Sequence, residues 1–233
     1  MAEARDGKLI RMGFIRKKSD WEWAAFEEHW LGPHAKLAGQ LKGLRGYVQN
    51  HIIDRRQRSQ APRGGDDFDG FSQLWFENDA AMRDAIATDL GRALVADESH
   101  FLGHLRIVTV SEEEIIPLGA PRPPAKLLTL LKRRSDISAE RFHEEWRGLS
   151  PLVEAMHGIR GYRQGFAIAR QVPKGTPVGY DRFPIDGVEE IWFDSVEALD
   201  HALASDAGRN AFARGKSLMA EATTFLVEEC VIA

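Results

Sequence analysis

The hydrophobic pattern of this chain changes period several times, and each change predicts an element. Residues 1–8 are polar and read as a frayed tail. Leu9 to Arg16 is a short apolar run ended by charges, which predicts a strand. Ser19-Asp20-Trp21-Glu22 has the S-x-x-E pattern of a capped helix start. Trp23, Phe26, Trp30, Leu37 and Leu41 then recur at helical spacings, with Pro33 expected to kink or restart the helix and Gly43 to end it. Leu44 to Ile53 alternates as a strand, with Arg45, Tyr47, Gln49 and His51 on one face and Leu44, Val48 and Ile52 on the other. A polar loop covers 54–69, and Gly70 to Phe76 is the next strand. Asn78 or Asp79 caps a helix to about Asp89, a second piece spans Arg92 to Leu102, and Leu105 to Ile115 closes the unit. The order is β-α-β-β-α-β, the ferredoxin-like plan.

The same order then starts again. Pro117, Gly119, Pro121, Pro123 and Pro124 mark a stiff linker, expected over 116–125. Strands are predicted at Leu127–Arg134, Arg160–Ala169, Val188–Phe193 and Ala222–Ile232. Helices are predicted after a cap at Asp136 or Ser138, and from Ser195 to about Leu218. Matched pairs run through both halves at offsets of 115 to 117, among them Phe26/Phe142, Trp30/Trp146, Tyr47/Tyr162, Gln49/Gln164, Gly70/Gly187 and Trp75/Trp192. The expectation is an α+β chain of two tandem ferredoxin-like units, 9–115 and 126–233. A four-stranded sheet with helices on one face leaves the other face bare, so the two sheets should close into a barrel within one chain.

Composition adds exclusions. With 31 basic and 35 acidic residues the net charge is -4, which offers no general attraction to nucleic acid or anionic membranes. No uncharged apolar run approaches the roughly 20 residues of a membrane span. One cysteine, Cys230, excludes an internal disulfide framework and suggests a reducing compartment. With no apolar leader visible near Met1, the expectation is a cytoplasmic protein. No phosphate loop, nucleophile elbow or dinucleotide motif is present.

The run Phe26-x-x-x-Trp30-x-x-x-His34, then Leu44-Arg45-Gly46-Tyr47-x-Gln49-Asn50, then Gly70 with Trp75-Phe76, then Gly91-Arg92-Ala93-Leu94-x-Ala96-Asp97-Glu98 resembles the EthD family of the dimeric α+β barrel superfamily. The second half is similar but lacks the histidine and the Ala-Asp-Glu run. The resemblance implies a barrel fold. It implies function loosely: relatives act as cofactor-free dehydratases, cyclases and lactone isomerases, and the wider superfamily includes haem-dependent members.

The chemistry of such a chain should sit where the halves differ. Each of the eight histidines lacks a histidine counterpart; His34 stands against Ser150 and His51 against Phe166. His34 follows Pro33 at an expected helix break and is the family's motif histidine, so it is the first catalytic candidate, with His51 the second. The alternative for His34 is a side chain that braces the broken helix. Tyr47 and Gln49 beside His51, with Phe71, Gln73 and Trp75 on the next strand, suit a barrel lumen that binds a small apolar ligand; the alternative is a core between sheets. His100 and His104 share a helical spacing but lack a third ligand, so no metal is expected, and no cofactor either. Asp97-Glu98 reads as a solvated face or a salt-bridge pair rather than a catalytic dyad. The loop 170–186 is expected to cap the first-half cavity. The reading is a cofactor-independent lyase or isomerase acting on a small apolar carbonyl, lactone or aromatic catabolite, with a homodimer of the whole chain as the macromolecular partner to consider. The alternatives are a binding protein for an apolar metabolite and a haem-dependent oxidative enzyme.

Overall fold

The computed structural model describes residues 8–233, so most of the expected N-terminal tail lies outside the described residues. Eight strands form: β1 (Lys8–Lys17), β2 (Leu44–Asp54), β3 (Gly70–Phe76), β4 (Leu102–Ile116), β5 (Ala125–Arg133), β6 (Ile159–Gln171), β7 (Gly187–Phe193) and β8 (Met219–Val231). They close into one barrel in the order β1-β3-β2-β8-β5-β7-β6-β4. Each half contributes four antiparallel strands in ferredoxin-like order. The halves are stitched by β2 against β8 (Val48 opposite Val231) and β4 against β6 (Ser111 opposite Phe166). Edge strands that would be bare in a lone unit are therefore paired across the repeat.

The helices lie outside the barrel. The first half has α1 (Trp23–His29), a π turn (Trp30–His34), α2 (Ala35–Ala38), α3 (Asp79–Ile86) and α4 (Asp89–Phe101). The second has α5 (Ala139–Arg147), α6 (Ser150–Glu154), α7 (Val196–Ala204) and α8 (Asp206–Gly215). Side-chain oxygens of Asn78, Thr88, Ser138, Ser195 and Ser205 accept from backbone N–H groups at helix starts. The S-x-x-E pattern behaves differently from expectation. Glu22 occupies the N-cap of α1 and makes no side-chain cap bond. The expected helix 195–218 is split at Ser205, whose extended backbone ends α7 and caps α8.

Alternation along β1 separates two environments. Ile10, Met12 and Phe14 enter the barrel core, whereas Ile15 packs under Phe26 and Trp30 on the helix side. The barrel interior is filled rather than hollow. Phe14 meets Phe68, Phe71 and Phe183 edge-on at 5.2–5.3 Å. One end of it holds a buried polar cluster. Lys126 Nζ lies 2.5 Å from Glu190 and 2.7 Å from Glu229, and donates to Asn50 Oδ1 at 2.7 Å.

The repeated Phe-x-x-x-Trp pairs explain the repeated glycines. A Cβ on Gly70 would stand 2.5 Å from the ring of Trp30, and one on Gly187 would stand 2.5 Å from that of Trp146. Only glycine lets each indole lie flat on its own sheet. The long loops cross between halves. Arg58 N donates to Thr224 Oγ1 at 2.8 Å, and Lys174 N donates to Leu105 O at 3.1 Å. Each half is thus roofed in part by the other half's loop.

Candidate functional site

Pro33 lacks an N–H, so the helix that carries it cannot keep its regular ladder. It widens instead into the π turn Trp30–His34, a local irregularity often found at functional positions. The turn buries His34, which is 6% exposed, against the sheet. His34 Nδ1 and Asp97 Oδ2 are 2.8 Å apart, and His29 Nε2 meets the other oxygen, Oδ1, at 2.8 Å. A carboxylate only accepts, so Asp97 takes the Nδ1–H of His34 and leaves its Nε2 as an open lone pair. Burial pulls the His34 pKa below its ordinary 6.5, against the opposing hydrogen bond from Asp97. The imidazole is therefore neutral near pH 7 and able to accept a proton.

His34 lines a narrow inner chamber of about 20 Å³ between the first-half sheet and its helices, together with Arg11, Tyr47, Ser72, Glu98 and Lys174. A wider cleft of about 770 Å³ shares Arg11, Ile86, Glu98, Leu105 and Lys174 with it. The cleft runs between α3, α4 and the second-half residues Pro173–Gly175. Lys174 comes from the cross-over loop and pairs with Glu98. Burial lowers the Lys174 pKa, and Glu98 opposes that shift. Tyr47 is held protonated because burial raises its pKa.

The residues expected to share a lumen are divided between two faces. Tyr47, Gln49 and His51 point toward the helices. Gln49 Nε2 donates to Trp30 O at 2.7 Å and to Tyr47 Oη at 2.8 Å. Phe71, Gln73 and Trp75 point into the barrel, because Asn50 and Val48, not Gln49 or His51, stand opposite Phe71 and Gln73. Phe71 is core. Gln73 donates to Glu190 at 3.0 Å, and Trp75 Nε1 donates to Glu112 at 3.4 Å. The lumen reading is therefore corrected: the barrel is packed, and the cleft lies between sheet and helices. Of the seven sequence candidates, His34 and Tyr47 line it. His51 stacks under Trp30 at 4.2 Å, and burial lowers its pKa to about 4. That environment fits a packed neutral ring.

Arg11, Ser72 and Glu98 are cleft residues that the sequence did not single out as such, whereas Lys174 lies on the loop 170–186 expected to cap this cavity. Of the two readings of Asp97-Glu98, the salt-bridge one holds: Asp97 meets His29 and His34, and Glu98 pairs with Lys174. Applying to arginine the half-to-half comparison made for histidine would have found Arg11, whose counterpart is Leu127. The second half keeps a smaller, more apolar cavity of about 50 Å³, with Leu127 where Arg11 stands and Glu189 where Ser72 stands. Tyr162 Oη donates to Glu189 at 3.2 Å, and desolvation raises the Glu189 pKa.

Comparison with known families places residues 18–104 and 134–226 each against the EthD domain. Solved structures of similar fold include an anthrone oxidase-like protein (11% identity, TM-score 0.65, 99% of this chain and 95% of that one). A Fusobacterium nucleatum protein provisionally named a monooxygenase is also similar (10% identity, TM-score 0.63, 97% and 93%). An ethyl tert-butyl ether degradation (EthD) family protein from Bacillus halodurans matches over 44% of this chain and 95% of its own (22% identity, TM-score 0.36). A comparison with curated protein sequences returned no match. No helix among the described residues is long and apolar enough to cross a membrane.

Proposed function

The chain belongs to the EthD family, and we propose that it is a cofactor-independent lyase or isomerase acting by proton transfer on a small carbonyl compound in the first-half cleft. The observation that carries this reading is the His34–Asp97 pair. A buried, neutral imidazole has one nitrogen tied at 2.8 Å to a carboxylate and the other free in the small inner chamber, which shares Arg11, Glu98 and Lys174 with the wider cleft. Nε2 removes a proton from a carbon beside the carbonyl, and the electron pair moves to the carbonyl oxygen. The imidazolium, steadied by Asp97, then returns the proton to another carbon, or to a leaving hydroxyl that departs as water. The first outcome is an isomerisation and the second a dehydration. Neither needs an oxidant. Tyr47, which lines the same chamber and keeps its proton, supports the developing oxyanion.

A haem-dependent alternative fits these residues poorly. His34 lines only the inner chamber of about 20 Å³, far below the roughly 300–1,000 Å³ of typical ligand pockets, so a porphyrin plane has no room against Nε2. No step is assigned to haem. Wild-type and His34→Gln protein should be incubated with a panel of hydroxy-ketones and lactones, with products followed by mass spectrometry. Isomerised or dehydrated product from wild type alone supports the proposal. Ligand binding without any turnover by wild type would favour a metabolite-binding protein instead.

A further inference from the structure

Arg11 is a buried cation without a partner. It stands on β1 between Ile10 and Met12, which enter the barrel core, so its own side chain points the other way and lines both chambers of the cleft. It is 7% exposed. Other enclosed cations of this protein are matched. Lys126 has Glu190 and Glu229, Arg58 has Asp54 and Asp200, Arg163 has Glu112 and Glu114, and Arg133 has Asp186. The Arg11 side chain makes no hydrogen bond or ion pair among the described residues, while its backbone lies in the sheet opposite Leu74 and Thr109. The nearby carboxylate that acts on it, Glu98, is already held by Lys174.

A guanidinium so little exposed and without an ion pair is poorly solvated, and such a residue persists where something offsets that cost. Folding does not require it, because the equivalent position in the second half is Leu127, within an otherwise similar wall. Desolvation lowers the Arg11 pKa to about 10, which still leaves it charged at neutral pH.

We propose that the cleft takes a small apolar monocarboxylate, whose carboxylate enters the inner chamber and pairs with Arg11. The shape of the cleft agrees with this polarity. The inner chamber, about 20 Å³, has room for a head group and none for a ring. The outer cleft, about 770 Å³, is walled by Met82, Ile86, Val95, Leu102 and Leu105, which suit an aromatic or aliphatic body. Arginine presents two parallel N–H donors to a carboxylate, a geometry that rewards this anion over a neutral amide. Lys174 and Glu98 line both chambers as an ion pair contributed by both halves. The proposal rests on the first-half cleft being the working site, and it names the class of molecule that site admits.

The test is binding, independent of turnover. Affinities of the full-length protein for benzoate and 3-phenylpropionate, and for the corresponding neutral amides, are measured by calorimetry, with thermal midpoints of Arg11→Met and Arg11→Lys recorded without ligand. The carboxylates should bind wild type at least about tenfold more tightly than the amides. Arg11→Met should erase that preference while raising the ligand-free midpoint, and Arg11→Lys should keep part of the preference. Amides that bind wild type as well as carboxylates do would overturn the proposal even if no variant folds. So would an Arg11→Met midpoint below wild type. A cleft that binds carboxylates but moves no proton would uphold this inference and overturn the acid–base reading.

Discussion

Replacing Glu112 with glutamine should stabilise the protein at alkaline pH and not at acid pH. Glu112 lies on β4 at the end of the barrel and is 4% exposed. Its Oε1 accepts from Trp75 at 3.4 Å, while its Oε2 is buried without a hydrogen-bond partner, with Arg163 Nη1 3.7 Å away. Desolvation outweighs the attraction of Arg163 and pushes the Glu112 pKa up from its ordinary 4.5 to about 7. The folded state therefore holds the proton more tightly than the unfolded chain. This contribution is fully present below the unfolded value and is lost as pH rises through about 7. The shift corresponds to about 3 kcal/mol between the two limits. For a chain of this size that is on the order of 6–12 °C in thermal midpoint, an upper figure because glutamine keeps only one acceptor for Trp75 and Arg163. Thermal midpoints of wild type and Glu112→Gln are to be measured at about pH 4, below the unfolded value, and at about pH 8, above the folded one. The variant should gain on wild type as pH rises, and wild-type Trp75 fluorescence should change over the same interval. A variant that loses the same amount at both pH values would refute the assignment.

Other substitutions probe the scaffold and the site. Lys126→Met strands two enclosed carboxylates and should cost about 3–5 kcal/mol by denaturant unfolding, with most of the loss recovered when Glu190→Gln and Glu229→Gln are added. Gly187→Ala drives a methyl into the Trp146 ring and should cost about 1–3 kcal/mol, read from the same unfolding curves. Asp97→Asn should leave the fold intact but lower turnover by roughly 10²–10⁴-fold, because the amide no longer fixes the His34 tautomer. Ser150→Ala, at the second-half counterpart of His34, should be near neutral in both stability and activity.

The fold was legible because it is written twice. Period-2 runs, the glycine opposite each tryptophan and the paired strand motifs all recur, and a single-chain barrel follows from two sheets that each need a cover. Caps were legible in part: Asn78, Ser138 and Ser195 each accept from a backbone N–H where a helix was expected to start. Ser19 to Glu22 has the right letters, yet the chain enters α1 without using them, while Ser205 breaks a helical pattern that reads as continuous. The site was half legible. His34 stood out through Pro33 and through its missing counterpart. The facing of β2 against β3 was misjudged because antiparallel register decides which residues share a face, and alternation alone does not supply register. Glu98 and Lys174 meet across 76 positions of sequence, on a loop whose path depends on closure of the barrel. Arg11 was hidden inside an apolar run that reads as ordinary strand.

The central claim is that His34 moves protons in the first-half cleft. The most direct measurement is exchange of carbon-bound hydrogen in D₂O, followed by proton NMR, for aryl-substituted keto acids incubated with wild type, His34→Gln and Ser150→Ala. The account predicts exchange beside the carbonyl with wild type and Ser150→Ala and none above background with His34→Gln. Exchange that survives the loss of His34, or that disappears with Ser150→Ala, would contradict it.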